Sequence, residues 1–187
     1  MKNEADFIKK LLNPRQRDRA FVKLLDLYQE RLYWHIRKLV VSHENANDVL
    51  QNTFIRVYKS LPNFKQQSSL HTWMYRIAYN EAIRLLEKEK NKTHFSVEGL
   101  EERHLDNLVS DDYFDGDEAQ LKLQRSLLSL SEKHRNIFQM KYYDDLKFRE
   151  ISDILDIKEN TIKTIYYSAA KQIEKYMLEV TLLEIKE

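Results

Sequence analysis

Two glycines and two prolines in 187 residues leave this chain almost nowhere to turn sharply or bring its backbone close to a ligand. Both glycines, Gly99 and Gly116, fall in one short stretch, so the remainder is suited to long uninterrupted helices. A turn-rich β-sandwich, a Rossmann fold and a phosphate-binding loop all require glycines at set positions. The expected fold class is therefore all-α, and the length fits one ordinary domain or two small helical ones. With no cysteine there is no disulfide, thiolate zinc site or thiol nucleophile, and the chain reads as a protein of the reducing cytoplasm. No apolar run approaches the roughly 20 residues a membrane span needs. The start from Met1 to Asp6 is too polar for the core of a signal peptide.

The formal net charge of +1 conceals a segregation. Residues 1–90 carry a net +7, residues 91–118 a net −7, and residues 119–187 a net +1. The middle block, NKTHFSVEGLEERHLDNLVSDDYFDGDE, has few regularly spaced apolar positions and reads as an acidic linker between two helical domains. Its run from Asp111 to Gly116 superficially matches a calcium loop. However, Tyr113 stands where a ligand belongs, and Lys122 where the bidentate glutamate belongs. The six histidines lack metal-ligand spacing, so no metal, cofactor or catalytic site is expected.

In the first block, Phe21, Leu24, Leu25, Tyr28, Leu32 and Ile36 form one stripe of a helix over Ala20 to Val41. Ser42 is placed to cap a second helix, with Ala46, Val49, Leu50, Phe54, Val57 and Tyr58 inward until Leu61-Pro62 stops it. Its other face carries Asn47, Asp48, Gln51, Asn52 and Arg56, and on periodicity alone that face reads as solvated. A third helix is expected from about Leu70 to Lys90, with Leu70, Trp73, Ile77, Ala78, Ala82 and Leu85 buried. That leaves Tyr75, Arg76, Tyr79, Asn80, Ile83 and Arg84 on other faces. Aromatics interleaved with Arg and Asn beside a basic loop suit single-stranded nucleic acid, because rings stack on unpaired bases while cations neutralise phosphates. The same spacing also describes core aromatics, so both readings stay open at this point.

In the last block, apolar spacing predicts helices near 119–129, 132–142, 147–155 and 160–177. The final two form a helix-turn-helix. Phe148, Ile151, Ile154 and Leu155 pack the first, Asp156-Ile157-Lys158 is the turn, and Ile162, Ile165, Tyr166, Ala169 and Ile173 face inward from the second. Lys163, Thr164, Tyr167, Ser168 and Lys171 remain outward, offering donors, an aromatic ring and two cations to a major groove.

With these residues in view, the chain resembles the extracytoplasmic-function (ECF) subfamily of the sigma-70 factors. The stretch NANDVLQNTFIRVYKSLPNFKQQSSLHTWMYRIAYNEAI is similar to sigma region 2, and LLSLSEKHRNIFQMKYYDDLKFREISDILDIKENTIKTIYYSAAKQI to region 4. The resemblance implies a two-domain, non-catalytic subunit that brings core RNA polymerase to promoters, with region 2 in 1–90 and region 4 in 119–187. It assigns Asp48, Val49, Gln51, Asn52 and Phe54 to docking on the polymerase β′ coiled coil, with β as a further contact. Phe64, Lys65, Ser68, Ser69, His71 and Thr72 match the loop that captures a flipped minus-ten base. Trp73, Arg76 and Asn80 match the helix supporting that loop and the melted strand. Lys163, Thr164, Tyr167, Ser168 and Lys171 fall on the helix that reads the minus-thirty-five element as duplex. An anti-sigma factor, commonly membrane-bound, is the remaining partner implied.

The sequence also departs from the family pattern. Asn52 replaces a common Glu, and Gln66 and Asp156 stand where glycine is usual. Lys158 replaces a small polar cap, for which Asn160 is expected to substitute. Arginines common along the recognition helix are replaced by Ile165, Ser168 and Ala170, implying weaker or different minus-thirty-five reading. The competing reading is a helix-turn-helix regulator that acts on duplex DNA without being a polymerase subunit.

Overall fold

The computed structural model describes residues 4–40, 42–92 and 118–184, and among them the chain forms eight α-helices and no strand. It divides into two compact units, Met1–Lys92 and Thr93–Glu187. The first holds α1 (Glu4–Leu12), α2 (Arg17–Leu39), α3 (His43–Ser60) and α4 (Leu70–Lys92). The second holds α5 (Glu118–Leu128), α6 (Glu132–Tyr142), α7 (Phe148–Leu155) and α8 (Glu159–Glu184). Most of the acidic block, residues 93–117, lies outside the described residues.

In the first unit the inward stripe of α2 holds Leu24, Leu32 and Ile36, all fully buried. Helix α3 packs against α2, and its Ala46, Val49 and Val57 are buried too, as is Leu61 in the short 3₁₀ turn that follows. Ser42 caps α3 as expected, its hydroxyl accepting from the Asn45 N–H at 3.1 Å. Helix α1 was not expected. It is short, but it buries Ile8 and Leu11, and the Arg17 guanidinium donates to the Leu11 and Leu12 carbonyls at its C-terminus.

Two expected stripes are corrected. In α4 the buried row is Leu70, Met74, Ala78 and Ala82, at a spacing of four, while Trp73, Ile77 and Leu85 are only half-buried. Tyr75 is buried because its ring packs at 4.7 Å from the buried His35. Tyr58 is not core. It lies at the surface with its ring edge-on to Phe21 at 5.0 Å, and its hydroxyl donates to Asp18 at 2.6 Å.

The second unit is built round Leu127, Leu130, Phe138, Ala169 and Ile173, with Leu123, Tyr166, Ala170 and Met177 packed against them. Helices α7 and α8 contribute the buried Ile151, Ile154 and Ile162. The last helix extends past Met177 to Glu184. Asn160 is not its cap: the Ile162 N–H already returns to the Lys158 carbonyl at 3.1 Å, so Asn160 lies inside the first turn.

Scarce glycine leaves its mark on the backbone. Gln66, Asp145 and Asp156 hold φ of 54°, 52° and 56°, in the left-handed region, and Gln66 and Asp156 are the two positions at which the sequence resemblance leads one to expect glycine. At Asp156 the conformation lets the N–H groups of both Asp156 and Ile157 return to the Ser152 carbonyl, while the Ser152 hydroxyl donates to the Ile157 carbonyl at 2.6 Å. Left-handed geometry costs an ordinary L-residue about 1–2 kcal/mol, less for Asp. Asp156→Gly is therefore expected to leave stability unchanged or raise it by up to about 1 kcal/mol, and Asp156→Val to lower it by about 1–2 kcal/mol. Chemical denaturation of the two variants side by side checks the order.

Candidate functional surfaces

The first surface is the outer face of α3. Asp48, Gln51 and Asn52 are exposed side by side, whereas Val49 and Phe54 point inward, 2% and 9% exposed. The structure therefore separates the five expected docking residues into three that present themselves and two that seat the helix. Arg56, read as part of the same face, is turned aside by Glu81 of α4 at 2.6 Å, and Arg84 reaches the same carboxylate at 2.6 Å. Asn45 donates to Glu89 at 2.9 Å, so polar contacts join α3 to α4 at two levels. Ile55, 46% exposed, lies one turn beyond Gln51 and adds an exposed apolar side chain to the polar residues expected on this face. Its signal was present, because Ile55 falls outside the period of the buried stripe.

The second surface runs from the 3₁₀ turn into the start of α4. The buried Phe64 ring lies 4.7 Å from Trp73 at 33°, so the loop folds back on the helix it precedes. Ser69 is the cap of α4: its hydroxyl accepts from the Thr72 N–H at 3.1 Å and bonds the Thr72 hydroxyl at 2.8 Å. Thr72 is itself 2% exposed, so this pair shapes the loop from within. His71 is half-buried, stacked on Tyr28 at 6.0 Å and edge-on to Tyr75 at 4.3 Å. Tyr28 was read as a core residue only; its stack on His71 makes it part of this surface. Burial pushes the Tyr28 hydroxyl above its ordinary pKa, so near neutral pH it stays uncharged. Lys65 is exposed, Ser68 half-buried, and Trp73, Arg76 and Asn80 follow one another along one face of α4, the last two exposed.

The third surface is the outer face of α8. Thr164, Tyr167, Ser168 and Lys171 are exposed, Tyr167 by 63%. Several of these groups are already engaged. Lys163 bridges Glu159 at 2.7 Å, the Thr164 hydroxyl donates to the Asn160 carbonyl at 3.0 Å, and the Ser168 hydroxyl accepts from Gln172 at 3.3 Å. Tyr166 stacks on Phe138 at 5.7 Å and meets Phe148 edge-on at 5.4 Å, holding α8 against α6 and α7.

Comparison with known proteins bears on all three surfaces. Residues 24–92, which span α2 to α4, match the family described as Sigma-70 region 2, and residues 120–173, which span α5 to most of α8, match Sigma-70, region 4. The chain belongs to the ECF group of the sigma-70 family. This sigma factor is 28% identical over 169 residues to the ECF RNA polymerase sigma factor SigW of Bacillus subtilis, covering 86% of this chain and 90% of that one. It is 26% identical over 174 residues to the RNA polymerase sigma-H factor of Pseudomonas aeruginosa, covering 84% and 86% of the two chains. In fold, the sigma factor is similar to CnrH in complex with the cytosolic domain of CnrY, with a TM-score of 0.66 at 16% identity over 98% and 99% of the two chains. It is equally similar to the sigma factor RpoE of Bartonella quintana in complex with the anti-sigma factor NepR, with a TM-score of 0.66 at 18% identity over 86% and 97%. A regulator acting on duplex DNA alone is not favoured, because it leaves the region 2 match over α2 to α4 without a use.

Proposed function

We propose that this sigma factor docks on core RNA polymerase through the exposed face of α3, where Asp48, Gln51 and Asn52 meet the β′ subunit and Ile55 adds apolar contact. Val49 and Phe54 act from beneath, as the packing that holds this face. In this reading the loop from Phe64 to Thr72 captures a base flipped out of the minus-ten element. Trp73, Arg76 and Asn80 receive the melted strand, and Lys163, Thr164, Tyr167, Ser168 and Lys171 read the minus-thirty-five element as duplex. The acidic block 91–118 is the tether between the two parts. The chain makes and breaks no bond, polymerisation being the partner's chemistry, and it works in the cytoplasm, where core polymerase and DNA meet. No helix among the described residues is long and apolar enough to cross a membrane.

The observation that carries this reading is the pairing, in one chain, of an α3–α4 unit bearing a capped aromatic loop with a helix-turn-helix bearing an exposed polar stripe. The physics suits the division. Extruding a base costs a few kcal/mol, which a shaped pocket and stacking along the strand offset. Reading duplex needs only a helix in the groove with side chains of the right reach. An anti-sigma factor is the third partner, by likeness to the complexes with CnrY and NepR.

Reconstitution with core polymerase of the source organism, followed by sequencing of run-off transcripts from genomic DNA, tests the reading. Discrete start sites sharing two upstream motifs are expected. A chain that neither binds core nor starts transcription at new sites overturns it.

A further inference from the structure

The outward centre of α8 is set by its buried side. Among the described residues of the helix, Ile162, Ala169 and Ile173 are buried. At about 100° per residue, the direction opposite their mean lies within about 40° of Asn160, Thr164, Tyr167 and Lys171, while Lys163 and Ser168 sit about 60–80° to either side. Asn160 thus heads the stripe of exposed residues, one turn before Thr164, in the first turn of the helix. The N-terminal residues of a recognition helix are those that meet base edges.

The hydrogen-bonding state of this face leaves Asn160, Tyr167 and Lys171 as the side chains with polar groups still to offer. Lys163 is drawn to Glu159, the Thr164 hydroxyl to the backbone and the Ser168 hydroxyl to Gln172. The Asn160 carbonyl accepts from Thr164, but its exposed side-chain carboxamide has no hydrogen-bond partner among the described residues. No arginine or glutamine lies on the central stripe, so this carboxamide is the one group there with a donor and an acceptor side by side. An adenine presents a matching acceptor and donor, N7 and N6, in the major groove.

We infer that Asn160 is a specificity-determining residue of the duplex contact, reading an adenine in the upstream promoter element through both halves of its carboxamide. The inference rests on the proposal that α8 enters the major groove. It also accounts for a stripe without guanidinium groups: this sigma factor reads an A·T pair where an arginine would select guanine.

The test uses full-length chain with core polymerase on a promoter library randomised across the upstream element, comparing wild type, Asn160→Ala, Asn160→Asp and Tyr167→Ala. Wild type is expected to prefer adenine at one position by roughly 5- to 150-fold, the range of one good bidentate pair. Asn160→Ala should flatten that position alone. Asn160→Asp, which loses the donor to N7 but keeps an acceptor, should lose the adenine preference as well. Tyr167→Ala should alter neighbouring positions and leave the adenine preference in place. If Tyr167→Ala shifts base preferences while Asn160→Ala changes none, α8 is the reader and Asn160 is not, which overturns the inference alone. If no α8 variant shifts any preference, the groove reading of α8 falls and the inference with it. Because Asn160 is exposed, circular dichroism and thermal unfolding of its variants are expected to match wild type.

Discussion

Ile162→Ala is expected to lower the stability of the C-terminal unit by about 2–5 kcal/mol, the range for emptying a fully buried isoleucine site. Ile162 is 0% exposed on the inward side of α8, where α7 and α8 pack together, and it is far round the helix from Thr164, Tyr167 and Lys171. Nothing is removed from the outer face. What is lost is the apolar contact that holds the last helix in place, together with a cavity term that so small a core cannot relax away. Small domains have about 5–15 kcal/mol in total, so the unit is left marginal or unfolded. For a unit of this size each kcal/mol corresponds to about 4–8 °C in midpoint, so a fall of about 8–40 °C is expected in the C-terminal transition. Thermal unfolding followed by calorimetry should show that transition move while the one from the α1–α4 unit stays. In transcription, dependence on the minus-thirty-five element should vanish while association with core polymerase persists. An unchanged midpoint would show that α8 is held by the cluster around Phe138 and Ala169 alone.

Trp73→Ala should give the second large effect, a loss of roughly 5- to 150-fold in open-complex formation, in line with about 1–3 kcal/mol for one base stacked on one ring. Trp73 is half-buried and lies 4.7 Å from the buried Phe64, so its ring supports the loop while part of its surface stays exposed. Its removal acts on the minus-ten step, because neither ring touches the exposed face of α3. Core-polymerase association measured by sedimentation should stay within about twofold of wild type, while permanganate reactivity of the melted strand falls. Trp73→Phe keeps a ring in the same place and should recover most of the loss. If Trp73→Ala instead abolishes association with core, the residue serves the fold of the whole unit and its assignment to the melted strand is wrong.

Much of the fold was legible because its cause is local. Periodicity placed α2, α3, α4 and the helices of the second unit to within a few residues, except that α8 runs on from Met177 to Glu184, and Ser42 announced the start of α3. The misses have specific causes. Helix α1 is short and amphipathic, and what holds it is the docking of Leu11 and the Arg17 side chain, neither of which is a local signal. The α4 stripe was misplaced because Trp73 and Met74 are neighbours of similar apolarity. Which one is buried depends on where α2 and α3 lie: Met74 is fully buried, while Trp73 packs on Phe64 and stays half-buried. Tyr58 fits the apolar period of α3, yet Asp18 on another helix offers its hydroxyl a partner at the surface.

The candidate surfaces divide in the same way. The outward faces of α3 and α8 follow from helical spacing, and the family from the order of residues within them. The state of each side chain does not. Arg56 is withdrawn from the face of α3 by Glu81, and Ser69 and Thr72 are spent on capping α4. Asn160, expected as a cap, stands on the exposed face of α8 because the helix begins one residue before it.

The glycine count shows where sequence stops and tertiary structure begins. With both glycines in the acidic block, an all-α chain with few turns follows from composition, since helical backbone is satisfied within each segment and needs no distant partner. The sequence could not determine that the turn at Gln66 and the turn at Asp156 would keep left-handed geometry without glycine. That conformation is unfavourable for the isolated residue and persists because the flanking helices, anchored by buried Leu61 and Leu70 on one side and Ile154 and Ile162 on the other, leave the connecting backbone no other path.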